Sequence, residues 1–458
     1  MVCAGEGMSV RDATVLKGGT VVTGGTEPSV IQDGAVVIRD GRIDSVCEAG
    51  RLATPETDAL VLDTDGKLVM PGFVNAHTHL YSALARGLMA DIEPSSNFVE
   101  ILEHLWWRLD RSLTLEDIRL SAAAGALDLI RNGTTTIVDH HASQTNIAGS
   151  LDAVADTLAS AGLRANLCFE ITDRDGADAR EAGLEENARF AETASTGPSQ
   201  GRLPMLTASV GLHASFTLDD ETLDRAARLA RESGIGCHTH AAEDRADVDD
   251  SLRRGEGRVI ERLLAHDVLG PKTVAAHCIH VEGHEIEILR DTGTIVVHNP
   301  QSNMNNAVGC ADVGRMLDEG VLVGLGTDGF TASMLDEMKV ANLVHRDRAG
   351  DPRVGHDYAC RLCLDGNGAI AERLFGERLG ELAPGRAADI VVLDYDPPTP
   401  VAGANFGGHV IFGLTGWMVE TVIIDGRLVM RDRDVLTLDS AAVMAEARER
   451  AAALWASM

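Results

Sequence analysis

Apolar runs of strand length alternate with amphipathic helical patterns through most of the chain. A segment such as DETLDRAARLARESG repeats its apolar residues at the period of an α-helix. We count eight apolar runs between such segments: residues 67–79, 134–141, 164–171, 206–214, 235–243, 273–281, 293–300 and 321–329. Apolar strands that alternate with helices are typical of parallel sheets. Eight such units predict an α/β fold, a (β/α)8 TIM barrel, over residues 67–379.

The two ends of the chain show a different pattern. Residues 1–66 and 380–436 contain short alternating segments separated by glycine, among them GAVVIRDGRIDSV and VETVIIDGRLVMRDRDVL. This pattern is typical of an antiparallel sheet with tight turns. We therefore predict a small β-sandwich domain assembled from both chain ends, and a C-terminal helix over residues 437–458 that closes it.

The charge of the chain restricts its partners. Acidic residues outnumber basic ones by 70 to 40, which gives a formal net charge of -30. Nucleic acid and anionic membranes are therefore not expected as partners. The amino terminus lacks the pattern of a secretory signal, no run of 18 apolar residues occurs, and the eight cysteines are scattered. We expect a cytoplasmic protein.

Each apolar run ends in residues that can bind a metal, titrate or hydrogen-bond. These are His77, His79, Asp139, His140, His141, Glu170, His213, His240, Glu243, His277, His298 and Asp328. Side chains two apart on a strand point the same way, so His77 and His79 can present two imidazoles to one ion. His240 and Asp328 are the best candidates for the remaining ligands. A single histidine would more simply be a structural residue, but HxH, HxxE, AHC and GTDG together, all at strand ends, favour a metal centre.

These motifs carry a family resemblance. PGFVNAHTH, HTHAAED, VAAHCIH, HNPQSNM and LGTDG, with GRAADIVVLD and VETVIIDGRLV near the end, resemble the amidohydrolase superfamily over essentially the whole chain. Within it the chain is similar to the cytosine deaminase, guanine deaminase and triazine-chlorohydrolase branch. Through LYSALARGLMADI, LWWRLDRSL, IVDHHAS and NPQSNMNNAVG it looks most like the SsnA-type aminohydrolases.

The resemblance implies a role for six residues. It implies that a metal is held by His77, His79, His240 and Asp328, with Glu243 and His277 as acid/base and orienting groups. The chemistry is coherent, because a divalent cation lowers the pKa of a bound water from 15.7 to about 7. Asp328 can then take the proton of the water, Glu243 can carry a proton to a substrate ring nitrogen, and His277 can hydrogen-bond the attacking water or the oxyanion.

Lysine positions indicate how many ions are bound. Many two-metal amidohydrolases bridge their ions with a carboxylated lysine at a strand end. The four lysines, at positions 17, 67, 272 and 339, do not end any predicted strand. We therefore predict one divalent ion. Zinc suits three imidazoles and a carboxylate best, although iron or manganese would also be held.

Seven further residues are candidates for contact with a substrate: Arg86, Trp106, Trp107, His141, Glu170, His213 and Asn303. The tryptophans could stack on a flat heterocycle, or they could belong to a helix core traced by Phe98, Leu102, Leu105 and Leu109. Arg86 could bind a carbonyl or sit in a surface ion pair. The histidines and Glu170 could contact ring heteroatoms or support the metal ligands, and Asn303 lies in an amide-rich turn.

The sequence therefore predicts a metal-dependent aminohydrolase. Hydroxide formed at the metal would attack an amidine-like carbon of a purine, pyrimidine, pterin or similar nitrogen heterocycle, and ammonia would leave. An alternative is a cyclic amidohydrolase that opens a lactam-like ring without ammonia release, because both reactions use the same site. A non-catalytic scaffold is disfavoured, since all the ligands are present. The resemblance also implies a homodimer or a higher homo-oligomer.

Overall fold

The computed structural model describes residues 13–25, 27–52, 59–195, 205–355 and 357–458. Its strands are β1 (Thr14–Val22), β2 (Val30–Arg39), β3 (Arg42–Glu48), β4 (Leu60–Asp63), β5 (Leu68–Pro71), β6 (Phe73–Thr78), β7 (Thr134–His141), β8 (Arg164–Phe169), β9 (Leu206–Ala208), β10 (Val210–Ala214), β11 (Cys237–Ala241), β12 (Val274–His277), β13 (Ile295–His298), β14 (Val323–Leu325), β15 (Ile390–Leu393), β16 (Val419–Ile424), β17 (Arg427–Arg431) and β18 (Asp434–Val435).

The α-helices follow the strands in the alternation that the sequence predicts. They are α1 (Phe98–Ile101), α2 (Trp107–Ser112), α3 (Leu115–Arg131), α4 (Ser150–Ala161), α5 (Ala177–Ser195), α6 (Asp220–Ser233), α7 (Arg245–Arg254), α8 (Val259–Ala265), α9 (Gly283–Thr292), α10 (Pro300–Asn305), α11 (Val313–Asp318), α12 (Met334–Ala349), α13 (Tyr358–Cys360), α14 (Asn367–Phe375), α15 (Phe406–Phe412) and α16 (Ser440–Ser457). A π-helical turn over Leu102–Trp106 joins α1 to α2.

The eight predicted runs form two parallel sheets that meet at both edges. One sheet has the order β6-β7-β8-β9 and the other the order β10-β11-β12-β13-β14, with β9 and β10 belonging to the same run. Bridges between Thr78 and Asp328 and between Ile171 and Leu212 connect the sheets. All residues of β7 and β12 are buried, as expected for parallel strands covered on both faces. The connections are those that a closed eight-stranded barrel requires.

The chain ends form a separate nine-stranded sheet. Its order is β18-β17-β16-β15-β5-β1-β2-β3, and β4 also pairs with β1. The sheet is mixed rather than purely antiparallel as predicted, because β1 runs parallel to both β4 and β5. Leu68–Pro71, the start of the first predicted barrel run, lies in this sheet and pairs with β15. The domain limits stay predictions, and residues 1–12 and 53–58 of the predicted small domain lie outside the described residues.

The first long helix of the barrel illustrates how local sequence positions the site. Thr114 and Asp117 form a reciprocal capping box at the start of α3, which satisfies backbone N–H groups that would otherwise lack partners. Ser121 on this helix donates hydrogen bonds to the carbonyls of Leu80 and Tyr81, at 2.7 and 3.0 Å. The segment directly after β6 is therefore fixed against a capped, buried helix.

The C-terminal helix packs on the barrel. Two nitrogens of Arg450 on α16 lie 2.9 and 3.0 Å from the carboxylate of Asp117 on α3. Trp455 donates its indole N–H to the carbonyl of Leu84 at 2.9 Å. The helix thus braces the segment after β6, and its closure of the small domain stays a prediction. The reason for this packing is the helix's apolar face of Ala447, Ala451 and Leu454, which is buried against α3 and its neighbours.

Candidate metal centre and active site

The four predicted metal ligands come together at the carboxyl ends of three barrel elements. Nε2 of His79 lies 2.9 Å from Oδ1 of Asp328, and Nε2 of His77 lies 3.5 Å from the same oxygen. Nε2 of His79 is also 3.1 Å from Nε2 of His240. The structure therefore brings residues 77, 79, 240 and 328 close together, and their role as metal ligands stays a prediction.

The two predicted acid/base residues border this centre. Nε2 of His277 lies 3.9 Å from Oδ2 of Asp328 and 3.5 Å from a carboxylate oxygen of Glu243. Ligand atoms of His77, His240, His277 and Asp328 all lie within 4.8 Å of one another. Pairing of Ala241 with His277 between β11 and β12 sets the two strand ends level, which explains the short distances.

Hydrogen bonds fix the orientation of the imidazoles. Nδ1 of His79 donates to the carbonyl of His140 at 2.6 Å, and Nδ1 of His240 donates to the carbonyl of His213 at 2.9 Å. Because a carbonyl only accepts, both rings carry their proton on Nδ1 and direct the Nε2 lone pair into the centre. This is the tautomer that a metal-binding histidine needs.

His77 and His277 are oriented in the same way. Nδ1 of His77 lies 2.8 Å from Nε2 of His238, and Nδ1 of His277 donates to Oδ1 of Asn303 at 2.7 Å. Among the described residues, Nε2 of His77 and Nε2 of His277 are buried without a hydrogen-bond partner. Buried polar atoms in native proteins are nearly always satisfied. These orphaned nitrogens beside a carboxylate fit a cation.

The pKa values of the residues at this centre also indicate that the site favours a positive charge. Burial would lower the pKa of His79, but its hydrogen bond to Asp328 and the negative charge of that residue raise it to about 9. Burial would raise the pKa of Asp328, but the nearby imidazoles of His77 and His79 lower it well below its ordinary value. Burial lowers the pKa of His77 to about 3. The carboxylate is ionised, and a divalent ion could replace the proton on His79.

The loop that carries Asp328 is built for close approach. A side chain at Gly326 would place its Cβ 2.7 Å from the carbonyl oxygen of His77, so only glycine fits there. The backbone N–H of Asp328 donates to that carbonyl at 3.0 Å. Asp328 itself has a φ of 54°, a left-handed conformation that costs energy for a residue with a side chain. Such strain is common at functional sites.

Glu243 differs electrostatically from Asp328. Burial raises the pKa of Glu243 well above its ordinary value, and the negative charge of Asp328 adds to the shift. Asn306 donates a long hydrogen bond of 3.5 Å to Oε1 of Glu243. The pKa values of the two carboxyl groups are thus shifted in opposite directions, as expected of separate acid and base groups.

A cavity opens above the centre and has an aromatic wall. His79, Glu243 and Asp328 lie at its base, and the wall includes Phe98, Trp106, Trp107, Phe216 and Phe330. Glu170 and His213 also line it. Both tryptophans therefore border the cavity, although the segment from α1 to α2 also contributes Phe98, Leu102 and Leu109 to the core.

Three of the residues predicted to contact a substrate do not line the cavity above the centre. Arg86 is mostly exposed and its guanidinium pairs with Asp128 at 2.7 Å. His141 is buried, with Nε2 3.0 Å from the hydroxyl of Ser143, and Asn303 orients His277. Arg86 lines a neighbouring cavity, whereas His141 and Asn303 do not line the cavity above the centre. Their contact with a substrate stays a prediction.

Four residues that the sequence interpretation did not select complete the site. His238 contacts His77, and Ser302 donates a hydrogen bond of 2.5 Å to Oδ2 of Asp328. Arg174 bonds the carboxylate of Asp110, and its guanidinium lies 5.0 Å above the Trp107 ring. His238 could have been found, because it stands two residues before His240 on the same strand. The others carry no local signal.

The family follows from comparison with known proteins. The amidohydrolase family model matches residues 68–429. A 5'-deoxyadenosine deaminase of Methanosarcina mazei is 33% identical over 441 residues, covering 95% of this chain and 97% of that protein. A 5-methylthioadenosine/S-adenosylhomocysteine deaminase of Pelotomaculum thermopropionicum is 33% identical over 442 residues, covering 95% and 98%. The chain belongs to the amidohydrolase family.

Solved structures share the fold. An adenosine deaminase from Xanthomonas campestris with bound zinc superposes with a TM-score of 0.83, at 23% identity, over 96% of this chain and 98% of that one. An atrazine chlorohydrolase from Arthrobacter aurescens, complexed with zinc, superposes with a TM-score of 0.79 at 20% identity, over 96% of this chain and 100% of that one. The predicted family, the α/β fold that it shares with these structures, and the class of hydrolase acting on non-peptide carbon–nitrogen bonds are confirmed. No helix in the described part of the chain is long and apolar enough to cross a membrane.

Proposed function

We propose that the protein is a metal-dependent deaminase that replaces the amino group of a purine-type heterocycle by an oxo group and releases ammonia. The observation that carries this proposal is the close approach of His77, His79, His240 and Asp328 beside Glu243, whose pKa burial raises. The relatives at 33% identity are deaminases of adenosine derivatives, which supports deamination over the ring-opening alternative.

One divalent ion, zinc foremost, would be held by these four residues. When bound, it would supply Lewis acidity that lowers the pKa of a water from 15.7 to about 7. Zinc suits the donor set of three imidazoles and one carboxylate, and iron or manganese would fit the same donors. Lys67 is bonded to Glu420 and Lys272 to the Gly234 carbonyl, so neither reaches the centre, which supports a single ion there.

Asp328 and Glu243 would divide the proton transfers. Asp328 is ionised and is held by the Ser302 hydroxyl, so its carboxylate can accept a proton from the attacking water. Burial raises the pKa of Glu243, which favours its acid form, and the acid proton can pass to the purine ring nitrogen next to the attacked carbon. Protonation of that nitrogen makes the carbon a better electrophile. The Glu243 carboxylate then takes the remaining proton of the attacking oxygen and passes it to the leaving amine, and the proton held by Asp328 restores the acid form of Glu243.

His277 would stabilise the reacting oxygen. Nδ1 of His277 donates its proton to Asn303, so Nε2 is the nitrogen of this ring that faces Glu243 and Asp328. This nitrogen can accept a hydrogen bond from the attacking water and, once protonated, donate one to the oxyanion. Because Asn303 fixes the orientation of the His277 ring, this ring does not have to rotate during the reaction to contact the reacting oxygen.

The cavity would select a flat ring with a polar attachment. Trp106, Trp107 and Phe98 offer aromatic surface for the heterocycle. Burial would raise the pKa of Glu170, but nearby His213, His140 and Arg174 lower it, so Glu170 is an ionised hydrogen-bond acceptor. Sugar hydroxyls or ring N–H groups could donate to it. We infer that Glu170 and His213 contact the substrate.

A direct assay tests the proposal. The zinc-loaded protein would be incubated with adenosine, 5'-deoxyadenosine, 5'-methylthioadenosine, S-adenosylhomocysteine and guanine, with ammonia and product mass measured together. We expect ammonia in equal amount to a product in which oxygen has replaced the amino group, and no reaction by Asp328→Asn. A product that has gained a whole water without ammonia release would contradict deamination.

We also propose a cytoplasmic homodimer or higher homo-oligomer. The seven described cysteines are all free thiols, which fits a reducing compartment. Light scattering on the purified protein would measure its mass in solution. A monomer at micromolar concentration would contradict the oligomer.

A further inference from the structure

A second cluster of potential metal ligands lies behind the seventh barrel strand. His298 is the last residue of β13, His345 lies in α12, and Cys310 lies between α10 and α11. One ligand atom of each residue lies within 4.8 Å of the others. The rings of His298 and His345 have centroids 5.0 Å apart. Three separate elements thus direct one thiol and two imidazoles to a common point.

Three of the four imidazole nitrogens of this cluster lack a hydrogen-bond partner among the described residues. His298 is fully buried and His345 is 4% exposed. Within the described chain, both ring nitrogens of His298 and Nε2 of His345 have no hydrogen-bond partner. A buried imidazole with two unsatisfied nitrogens is disfavoured, because it has lost its water without gaining a protein partner. The orphaned nitrogens therefore point to a ligand.

The spacing and the chemistry fit a transition metal. Sγ of Cys310 lies 3.7 Å from Nδ1 of His345. Zinc–sulfur and zinc–nitrogen bonds of about 2.3 and 2.0 Å at a tetrahedral angle place these atoms roughly 3.5 Å apart. Burial lowers the pKa of His345 to about 4, so its imidazole is neutral near pH 7, as a metal ligand must be.

We propose that His298, Cys310 and His345 form a second metal site for Zn²⁺ or a similar thiophilic divalent ion, with water as the fourth ligand. Binding would form one metal–sulfur bond and release the thiol proton to solvent. Arg348 on α12 already holds the Cys310 segment by donating to its carbonyl at 2.7 Å. The ion would tie β13, α12 and this segment together.

The position of the site indicates a structural role. The carbonyl of His298 accepts a hydrogen bond of 3.0 Å from the backbone N–H of Gly326, at the start of the loop that carries Asp328. Residues Ser302, Asn303 and Asn306, which contact the catalytic cluster, lie between His298 and Cys310 in the chain. A metal at this point would therefore brace both segments from behind.

Cobalt substitution tests the site without reference to activity. The catalytic cluster contains no sulfur, so a near-ultraviolet thiolate-to-cobalt charge-transfer band would report the second site alone. We expect the metal-free protein to take up two Co²⁺ per chain and to show this band. Cys310→Ser and His345→Gln should each lose the band and one equivalent of cobalt. Cys47→Ser, which alters a half-buried cysteine on β3, should keep the charge-transfer band and both equivalents of cobalt.

Two results would overturn the proposal. One is a wild-type spectrum without the charge-transfer band, whatever the variants do. The other is a Cys310→Ser protein that keeps the band and two equivalents of cobalt. Circular dichroism would check that each variant is folded. If Cys310→Ser does not fold, His345→Gln provides the test instead. Because the readout is spectroscopic, failure here would leave the proposed deaminase activity standing.

Discussion

Nε2 of His277 lies 3.5 Å from a carboxylate oxygen of Glu243, and of these two side chains Glu243 lines the cavity above the metal centre. The rings and carboxylates around them form a polar cluster that is almost completely buried. Burial raises the pKa of Glu243 and lowers that of His277. Both shifts favour the uncharged forms of two side chains that stand side by side, where they can exchange protons with a substrate.

Replacement of Glu243 tests the role of the acid. We expect Glu243→Gln to lower kcat by about 10² to 10⁴-fold, the usual contribution of a positioned acid or base. The amide keeps the shape of the side chain but has no transferable proton. Steady-state ammonia release would measure the loss. Asp244→Asn changes the neighbouring carboxylate that also lines the cavity and provides the matched control. Equal kcat values for the Glu243 variant and wild type would exclude this role.

His238 is predicted to tune the metal site through His77. Its Nε2 lies 2.8 Å from Nδ1 of His77 and fixes that ring. We expect His238→Phe to weaken metal affinity by roughly 10- to 100-fold, since partners of metal-binding histidines usually contribute that much. Competition with a chromophoric chelator would measure the affinity. His284→Gln, at an exposed histidine, should leave it unchanged. An unchanged affinity in His238→Phe would show that the contact is incidental.

Removal of the metal should abolish activity and keep the fold. Without an ion the pKa of the attacking water returns towards 15.7, so we expect ammonia release to fall by more than about 10²-fold. Dialysis against a chelator followed by stepwise addition of Zn²⁺ would measure the loss and its recovery. The Asp328→Asn variant should not regain activity when Zn²⁺ is added. Full activity in a protein shown to be metal-free would contradict the proposed centre.

His141 should make the metal-free protein less stable at acidic pH. Burial lowers its pKa to about 3 from 6.5, so the unfolded state binds a proton between these values and the folded state does not. The free energy of unfolding therefore falls as the pH decreases from 6.5 towards 3, by on the order of 1.4 kcal/mol per pH unit for one proton. Urea unfolding between pH 5 and 6.5 would measure the slope.

We expect His141→Asn to reduce this slope by up to that amount. The comparison must be made with wild type, since other buried histidines such as His213, whose pKa burial lowers to about 4, also contribute. His284→Gln again serves as the exposed control. Identical slopes for His141→Asn and wild type would show that His141 does not titrate differently on folding.

Much of the site could be predicted from the sequence because the ligands have local signatures. The pair His77 and His79, the HxxE of His240 and Glu243, and Asp328 in GTDG each follow an apolar run. In a parallel barrel all such runs end at the same face. Knowing the strands was therefore enough to expect that these residues meet.

Other parts of the site could not be predicted in this way. Arg174 and Asp110 are 64 residues apart in the chain and meet only because the barrel brings α2 beside the segment after β8. Ser302 reaches Asp328 across two neighbouring elements. A lone arginine or serine has no periodicity or spacing that indicates its partner.

The sequence by itself determined the alternation of strands and helices, the family and the metal-binding residue types, because these depend on local periodicity and on short motifs. Tertiary structure decided the rest. It placed Leu68–Pro71 in the sheet of the chain ends, set α16 against α3, and fixed the tautomers of the histidines through carbonyls and side chains far away in sequence. Distances of this kind arise from packing, which no single stretch of the chain contains.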